Sequence, residues 1–363
     1  MVKSARVVQG FIAALVMALL QGCAASGEKI LRIGGDPGTR KSEVLWPSPP
    51  EIPRYLYAGQ LIGEVNYARE NRSGAKGFRD VLRWIAGIIG GDRTPFGLLR
   101  PQSGVIDAAG RILVSDASLQ AVVVFDPVRG LQTWERAAGL TKFASPAGIA
   151  VSPEGRVWVA DAELGYVVEL DGEGNPIAMI GRGILKRPTG LAYDAATRVL
   201  YVADTQAHEV KVFSADGRLA ASIGRRGEGE GEFNFPTHLH FAKGELYVSD
   251  TMNSRVQVFA GGRHRLTVGS RGLYVGNLVR PKGVTVDSEG NIYVVESYFD
   301  HLLVYDRLGN FLLPIGGLGR DIGQFYLPAG VWTDDRDRVF VADMFNGRVV
   351  VLQFLGGGGE SEY

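Results

Sequence analysis

Short apolar runs, each interrupted by single polar residues, recur along most of the chain. Val210-Lys211-Val212-Phe213, Val256-Gln257-Val258-Phe259 and Ile292-Tyr293-Val294-Val295 are representative, and tight Gly- or Asp-bearing turns such as Ser288-Glu289-Gly290-Asn291 separate them. Alternation over four to six residues predicts strands with unlike faces, and the turns are short enough to make successive strands antiparallel. Four such strands form a unit: one after a proline, one ending in an acid, one rich in Val and Phe, and a short last one ending in Ile-Gly or Val-Gly, as at Ile223-Gly224. A twisted sheet of that size cannot bury both its faces alone, so the units must stack on one another. A second pattern is helical: Phe78, Val81, Leu82, Ile85, Ile88 and Ile89 recur every three or four residues and stop at Gly90-Gly91, which predicts one short amphipathic helix.

The units are internal repeats. RPQSGVIDAAGRILVSD returns as SPAGIAVSPEGRVWVAD, RPTGLAYDAATRVLYVAD, FPTHLHFAKGELYVSD, RPKGVTVDSEGNIYVVE and LPAGVWTDDRDRVFVAD. Their prolines, Pro101, Pro146, Pro188, Pro236, Pro281 and Pro328, are 45, 42, 48, 45 and 47 residues apart. That period is one propeller blade, so the expected fold is all-β: a six-bladed β-propeller of four-stranded antiparallel blades over residues 96–355. The last copy ends three strands in, at Val349-Val350-Val351-Leu352, so an N-terminal strand within residues 54–66 (RYLYAGQLIG) is expected to complete blade 6 and remove two open edges. Residues 67–95 then form a linker carrying the helix, which lies on one mouth of the ring or, with Arg79, Arg83 and Trp84, on a membrane surface.

The pattern P-x-G-(apolar)-x-V-D-x-x-G-x-(apolar)-Y-V-x-D-x-x-N-x-R-V-x-V-F resembles the NHL repeat, most clearly in residues 235–259 and 327–352. The linkers GRRGEGEGEFNFP and GGLGRDIGQFYLP are similar to that family's inter-blade segments. Blades 1 and 2 depart from it, since Ala117-Ser118-Leu119-Gln120 and Ala162-Glu163-Leu164-Gly165 lack the D-x-x-N continuation.

Residues 1–22 read as an export signal, with Lys3 and Arg6 before a ten-residue apolar run too short to cross a bilayer, which takes about 20 residues. Leu20-Gln21-Gly22-Cys23 resembles the bacterial lipobox, which implies lipidation of Cys23, the one cysteine of the chain, and anchoring in the cell envelope facing the periplasm, with the outer membrane slightly favoured. Residues 23–53, polar and then Pro-rich (WPSPPEIP), read as a flexible tether, and residues 356–363 as a disordered tail.

Composition narrows the function. Among 363 residues, 39 Lys+Arg balance 39 Asp+Glu, which argues against a nucleic-acid partner. A lone cysteine excludes internal disulfides and Cys-based metal sites. Asp116, Asp161, Asp204, Asp250, Glu296 and Asp343 recur at one blade position; a cation site is conceivable, but an acid repeated in every copy points to backbone hydrogen bonding. His238 and His240 alternate onto one side of a blade 4 strand and are candidate channel residues. The six-bladed amidating lyases are similar in using channel histidines, but they draw them from several blades, and the equivalents here are Gly148, Gly190, Gly283 and Gly330. Two imidazoles fall short of the three protein ligands a catalytic zinc needs, so no metal or other cofactor is expected. Between Thr251 and Val286 the chain carries Arg255, Arg263, Arg265, Arg271, Arg280 and Lys282 and no acid, a candidate cationic docking sector. The resulting expectation is a membrane-anchored, non-catalytic binding scaffold for a protein or anionic glycan, monomeric by preference. The alternative is a metal-dependent lyase or hydrolase in the channel.

Overall fold

The computed structural model describes residues 29–34, 44–69 and 95–356. The export signal, Cys23, the helical pattern at residues 78–89 and nearly all of the C-terminal tail lie outside the described residues.

Six antiparallel sheets follow one another around a ring. Blade 4 shows the plan: Pro236–Ala242 pairs with Glu245–Asp250, that strand with Arg255–Ala260, and that with Arg263–Val268. The first strand of each blade lies innermost, and the proline-to-acid pairing (Pro236 with Asp250, Pro281 with Glu296) fixes the register. Blade 6 is closed as the repeat count requires. Val331–Thr333, Arg338–Asp343 and Arg348–Phe354 come from the C-terminal end, and Tyr55–Leu61 from the N-terminal end pairs with the last of these.

The structure corrects the expected tether. Leu45–Trp46 pairs outside the closing strand as a fifth strand of blade 6, and Lys29–Leu31 pairs with Tyr67–Arg69. The reason is the outer edge of the closing strand, whose amides need partners: Tyr57 N donates to Val44 O (2.9 Å) and Arg54 N to Trp46 O (2.7 Å). The expected closing segment is likewise shorter than drawn, because Glu64–Asn66 forms a 3-10 turn. The buried amide of Asn66 fixes that turn, accepting from Ile62 N (2.7 Å) and Gly63 N (3.0 Å).

Two devices hold the blades together. Apolar side chains of facing sheets interdigitate; Tyr247, Val256, Val258 and Val268 of blade 4 share one core with Val284, Ile292, Val294 and Tyr305 of blade 5. At the inner wall the backbones themselves meet. A Cβ at Gly283 would stand 2.5 Å from Val331 N, and one at Gly190 2.6 Å from Thr237 O, which explains the glycine two residues after the proline. Hydroxyls then bridge blade to blade: Thr205 Oγ1 donates to Pro236 O (2.7 Å), Thr251 Oγ1 to Pro281 O (2.8 Å) and Thr333 Oγ1 to Val286 O (2.9 Å).

Candidate functional site: the proline-side mouth

Each inner strand starts, and each second strand ends, at the same mouth of the ring, here called the proline side. The repeated acids sit there, and all six are essentially inaccessible. Their oxygens accept backbone N–H groups from the incoming linker: Leu99 and Arg100 on Asp116 (2.7 and 2.8 Å), Ala144 on Asp161 (2.7 Å), Arg187 on Asp204 (2.8 Å), Asn234 on Asp250 (2.6 Å), Val279 on Glu296 (2.7 Å) and Tyr326 on Asp343 (2.7 Å). These acids anchor loops. Burial pushes the carboxyls of Glu296 and Asp343 above their usual range despite those donors.

Blades 4 and 6 add a clamp that sequence reasoning missed. Asn253 Nδ2 bridges Asp250 Oδ2 and Gly227 O (2.8 Å each). Arg255 Nε donates to Asp250 (2.8 Å), while its Nη2 reaches Gly229 O (2.7 Å) and Glu232 O (3.0 Å). Asn346 and Arg348 repeat this on Asp343 and the linker carbonyls of Gly319, Asp321 and Gln324. The D-x-x-N-x-R string was the available signal. Arg255 is therefore committed to the fold and drops out of the expected docking sector.

The rest of that sector divides. Arg255 opens the third strand of blade 4 opposite Asp250, whereas Arg263 opens the fourth strand opposite Ala260, at the other end of the same hairpin. Six extended residues span roughly 17 Å, so Arg263 and Arg265 belong to the opposite mouth. Arg265 also pairs with Glu245 (3.0 Å). Arg271, Arg280 and Lys282 stay on the proline side, and Arg271 Nη2 is held by Met252 O (2.7 Å).

His238 and His240 line the channel below this mouth, deep in the molecule yet partly open to solvent. Burial drops the His238 imidazole to about 3, helped by the Lys282 charge, and that of His240 to about 4. Both are neutral at ordinary pH. Their neighbours are hydroxyls, Thr237 Oγ1 at 3.1 Å from His238 Nδ1 and Thr285 Oγ1 at 3.4 Å from His240 Nδ1. Among the described residues no group of three His, Cys, Asp or Glu side chains converges as metal ligands would.

Around the mouth the exposed side chains are of two kinds. Leu99, Phe235, Met252, Tyr298 and Phe345 are between 39% and 55% exposed, and the cations Arg100, Lys186, Arg187 and Arg280 stand among them. The turns after the second strands of blades 1 to 3 present Ser118, Glu163 and Gln206, and those of blades 4 to 6 present Met252, Tyr298 and Phe345, so the apolar arc covers half the ring.

Comparison with known proteins agrees with this architecture. The NHL repeat model matches residues 143–163, in blade 2, one of the two copies that lack the D-x-x-N continuation. The chain is 28% identical over 133 residues to Protein brain tumor of Drosophila melanogaster, covering 36% of this chain and 12% of that protein. It is 28% identical over 140 residues to peptidyl-glycine alpha-amidating monooxygenase A of Xenopus laevis, covering 34% of this chain and 15% of that protein. It thus spans only a small part of these relatives. Among solved structures, an auxiliary nutrient binding protein from Bacteroides thetaiotaomicron superposes with a TM-score of 0.57 at 12% identity, over 72% of this chain and 70% of that one, a likeness of fold alone. The protein is a six-bladed β-propeller carrying an NHL repeat.

Proposed function

We propose that this propeller is an exported binding module, tethered to the cell envelope through a lipidated Cys23, which presents its proline-side mouth to a protein partner and performs no chemistry on it. The observation that carries this reading is the mixed rim: an arc of exposed Phe235, Met252, Tyr298 and Phe345 is joined by the exposed cations Arg100, Arg187 and Arg280 on a rigid ring. Aromatic and Arg side chains at one surface are the composition of a recognition patch, and rigid repeats bearing variable loops are a common support for recognition.

Site-specific photo-cross-linking tests it. A cross-linking residue at Tyr298 or Phe345 is expected to capture one discrete protein, with less capture as salt rises, while the same residue at Leu308, exposed in a turn between the third and fourth strands of blade 5, captures none. Equal labelling at both places, or capture of a polyanionic glycan instead, would overturn the protein-partner reading.

A further inference from the structure

One residue past the six repeat prolines stand Gln102, Ala147, Thr189, Thr237, Lys282 and Ala329. Lys282 is the one charged side chain of that set. Arg280 precedes it on blade 5, and Arg100 occupies the equivalent place on blade 1. Blade 6, between them, offers only the fully buried Ala329 at Lys282's level. Its inner strand touches both neighbours: a Cβ at Gly283 would meet blade 6 backbone, and one at Gly330 would meet Gln102 O of blade 1. Arg100 leans over this gap, its Cζ lying 5.3 Å from the centroid of the Phe345 ring of blade 6. The fields of Arg280 and Arg100 both reach the Lys282 ammonium, which burial and these like charges together hold below the usual lysine range.

Among the described residues no carboxylate forms an ion pair with Lys282, Arg280 or Arg100. Glu296 is close enough for Arg280 to act on it, but its oxygens are taken by the amides of Val279, Arg280 and Tyr298. Lys282 is half-buried without a carboxylate partner while Arg280 and Arg100 stand exposed on either side of blade 6, and a buried charge left without a counter-charge destabilises a fold unless a ligand supplies one. We infer that the mouth above blade 6 is a site for a small oxyanion, the carboxylate or phosphate group of a ligand, gripped by Lys282, Arg280 and Arg100. Guanidinium groups take either anion with two parallel hydrogen bonds, and the exposed rings of Phe345 and Tyr298 stand ready for an apolar body attached to it. This assignment rests on the same reading of the proline-side mouth as the binding face, and it names the chemistry that enters it.

The test uses the full-length protein in detergent, with sodium phosphate, acetate and phenylacetate titrated at constant ionic strength against chloride. Calorimetry and thermal unfolding are read for the wild type, Lys282→Met, Arg100→Gln and Arg307→Gln, the last in the same opposite-mouth turn as Leu308. Phosphate, or both carboxylates, should raise the unfolding temperature of the wild type; a response to phosphate alone assigns the phosphate, and to acetate and phenylacetate the carboxylate. Lys282→Met and Arg100→Gln should lose at least tenfold in affinity, and Arg307→Gln should lose none. Anion-free Lys282→Met should unfold at the same or a higher temperature than the wild type, because an uncompensated charge has gone. The proposal is overturned if no anion binds, if Lys282→Met keeps the full anion response, if Arg307→Gln loses as much, or if anion-free Lys282→Met is the less stable protein. Cross-linking at Tyr298 in the wild type separates the two readings: partner capture by a protein that binds none of the three anions removes the oxyanion site and leaves the binding module.

Discussion

At the scale of single residues, the proline-side mouth holds charges that differ by what surrounds them. Asp343 is inaccessible and Arg348 only 7% exposed, so removing one strands the other in a low-dielectric place. Asp343→Ala should destabilise the protein by about 3–5 kcal/mol, measured by chemical denaturation. The channel histidines behave oppositely. Their folded values of about 3 and about 4 lie below the unfolded value of about 6.5, so as pH falls below 6.5 the unfolded chain takes up protons that the folded chain refuses. Stability should therefore decline from about pH 6.5 to about pH 3, with His240 contributing down to about pH 4, and gain no further slope from these groups below that. A His238→Gln, His240→Gln double variant should show a smaller difference between urea midpoints at pH 7 and pH 4.5 than the wild type does.

At the scale of strands and turns, much was legible and some was not. The proline period and the alternation at Val256-Gln257-Val258-Phe259 announced the blades, because every copy must solve the same stacking problem. The unfinished last repeat announced a closing strand. What escaped was Leu45–Trp46, hidden among prolines: one pair of backbone hydrogen bonds on an edge leaves no periodic trace. The cationic sector misled because Arg255 and Arg263 are near in sequence but lie at opposite ends of one hairpin. Within the closing strand, Gly59 carries a φ of 145° beside an irregular register, and a Cβ there would stand 2.7 Å from Gly34 N. Gly59→Val should thus destabilise the seam by about 1–3 kcal/mol, read as faster hydrogen exchange along Arg348–Phe354 with the inner strands of blades 2 to 4 unaffected.

At the scale of the whole molecule, the two mouths carry different charge arrangements, and binding should distinguish them. Arg187→Glu on the proline side should weaken capture of the partner several-fold and flatten its dependence on salt. Arg263→Glu, at the far end of a blade 4 hairpin, should do neither, since exposed charges act over only about 8 Å at physiological ionic strength. A binding titration at two salt concentrations for both variants is the check.

The closing strand also governs when the molecule becomes a ring at all. Gln60 and Arg348, bonded to each other at 3.1 Å, stand 288 residues apart in the chain. Bringing such distant partners together costs about 5 kcal/mol of loop entropy by the logarithmic rule, and contacts this remote form late in folding. Until the last strand has been synthesised, Tyr55–Leu61 can pair on one side only, with Leu45–Trp46, and blade 6 keeps two unpaired edges, one on Tyr55–Leu61 and one on Arg338–Asp343. The seam is thus a proof of completeness: a chain cut short before Arg348 cannot close, and it displays its unpaired edges to whatever proteases patrol its compartment.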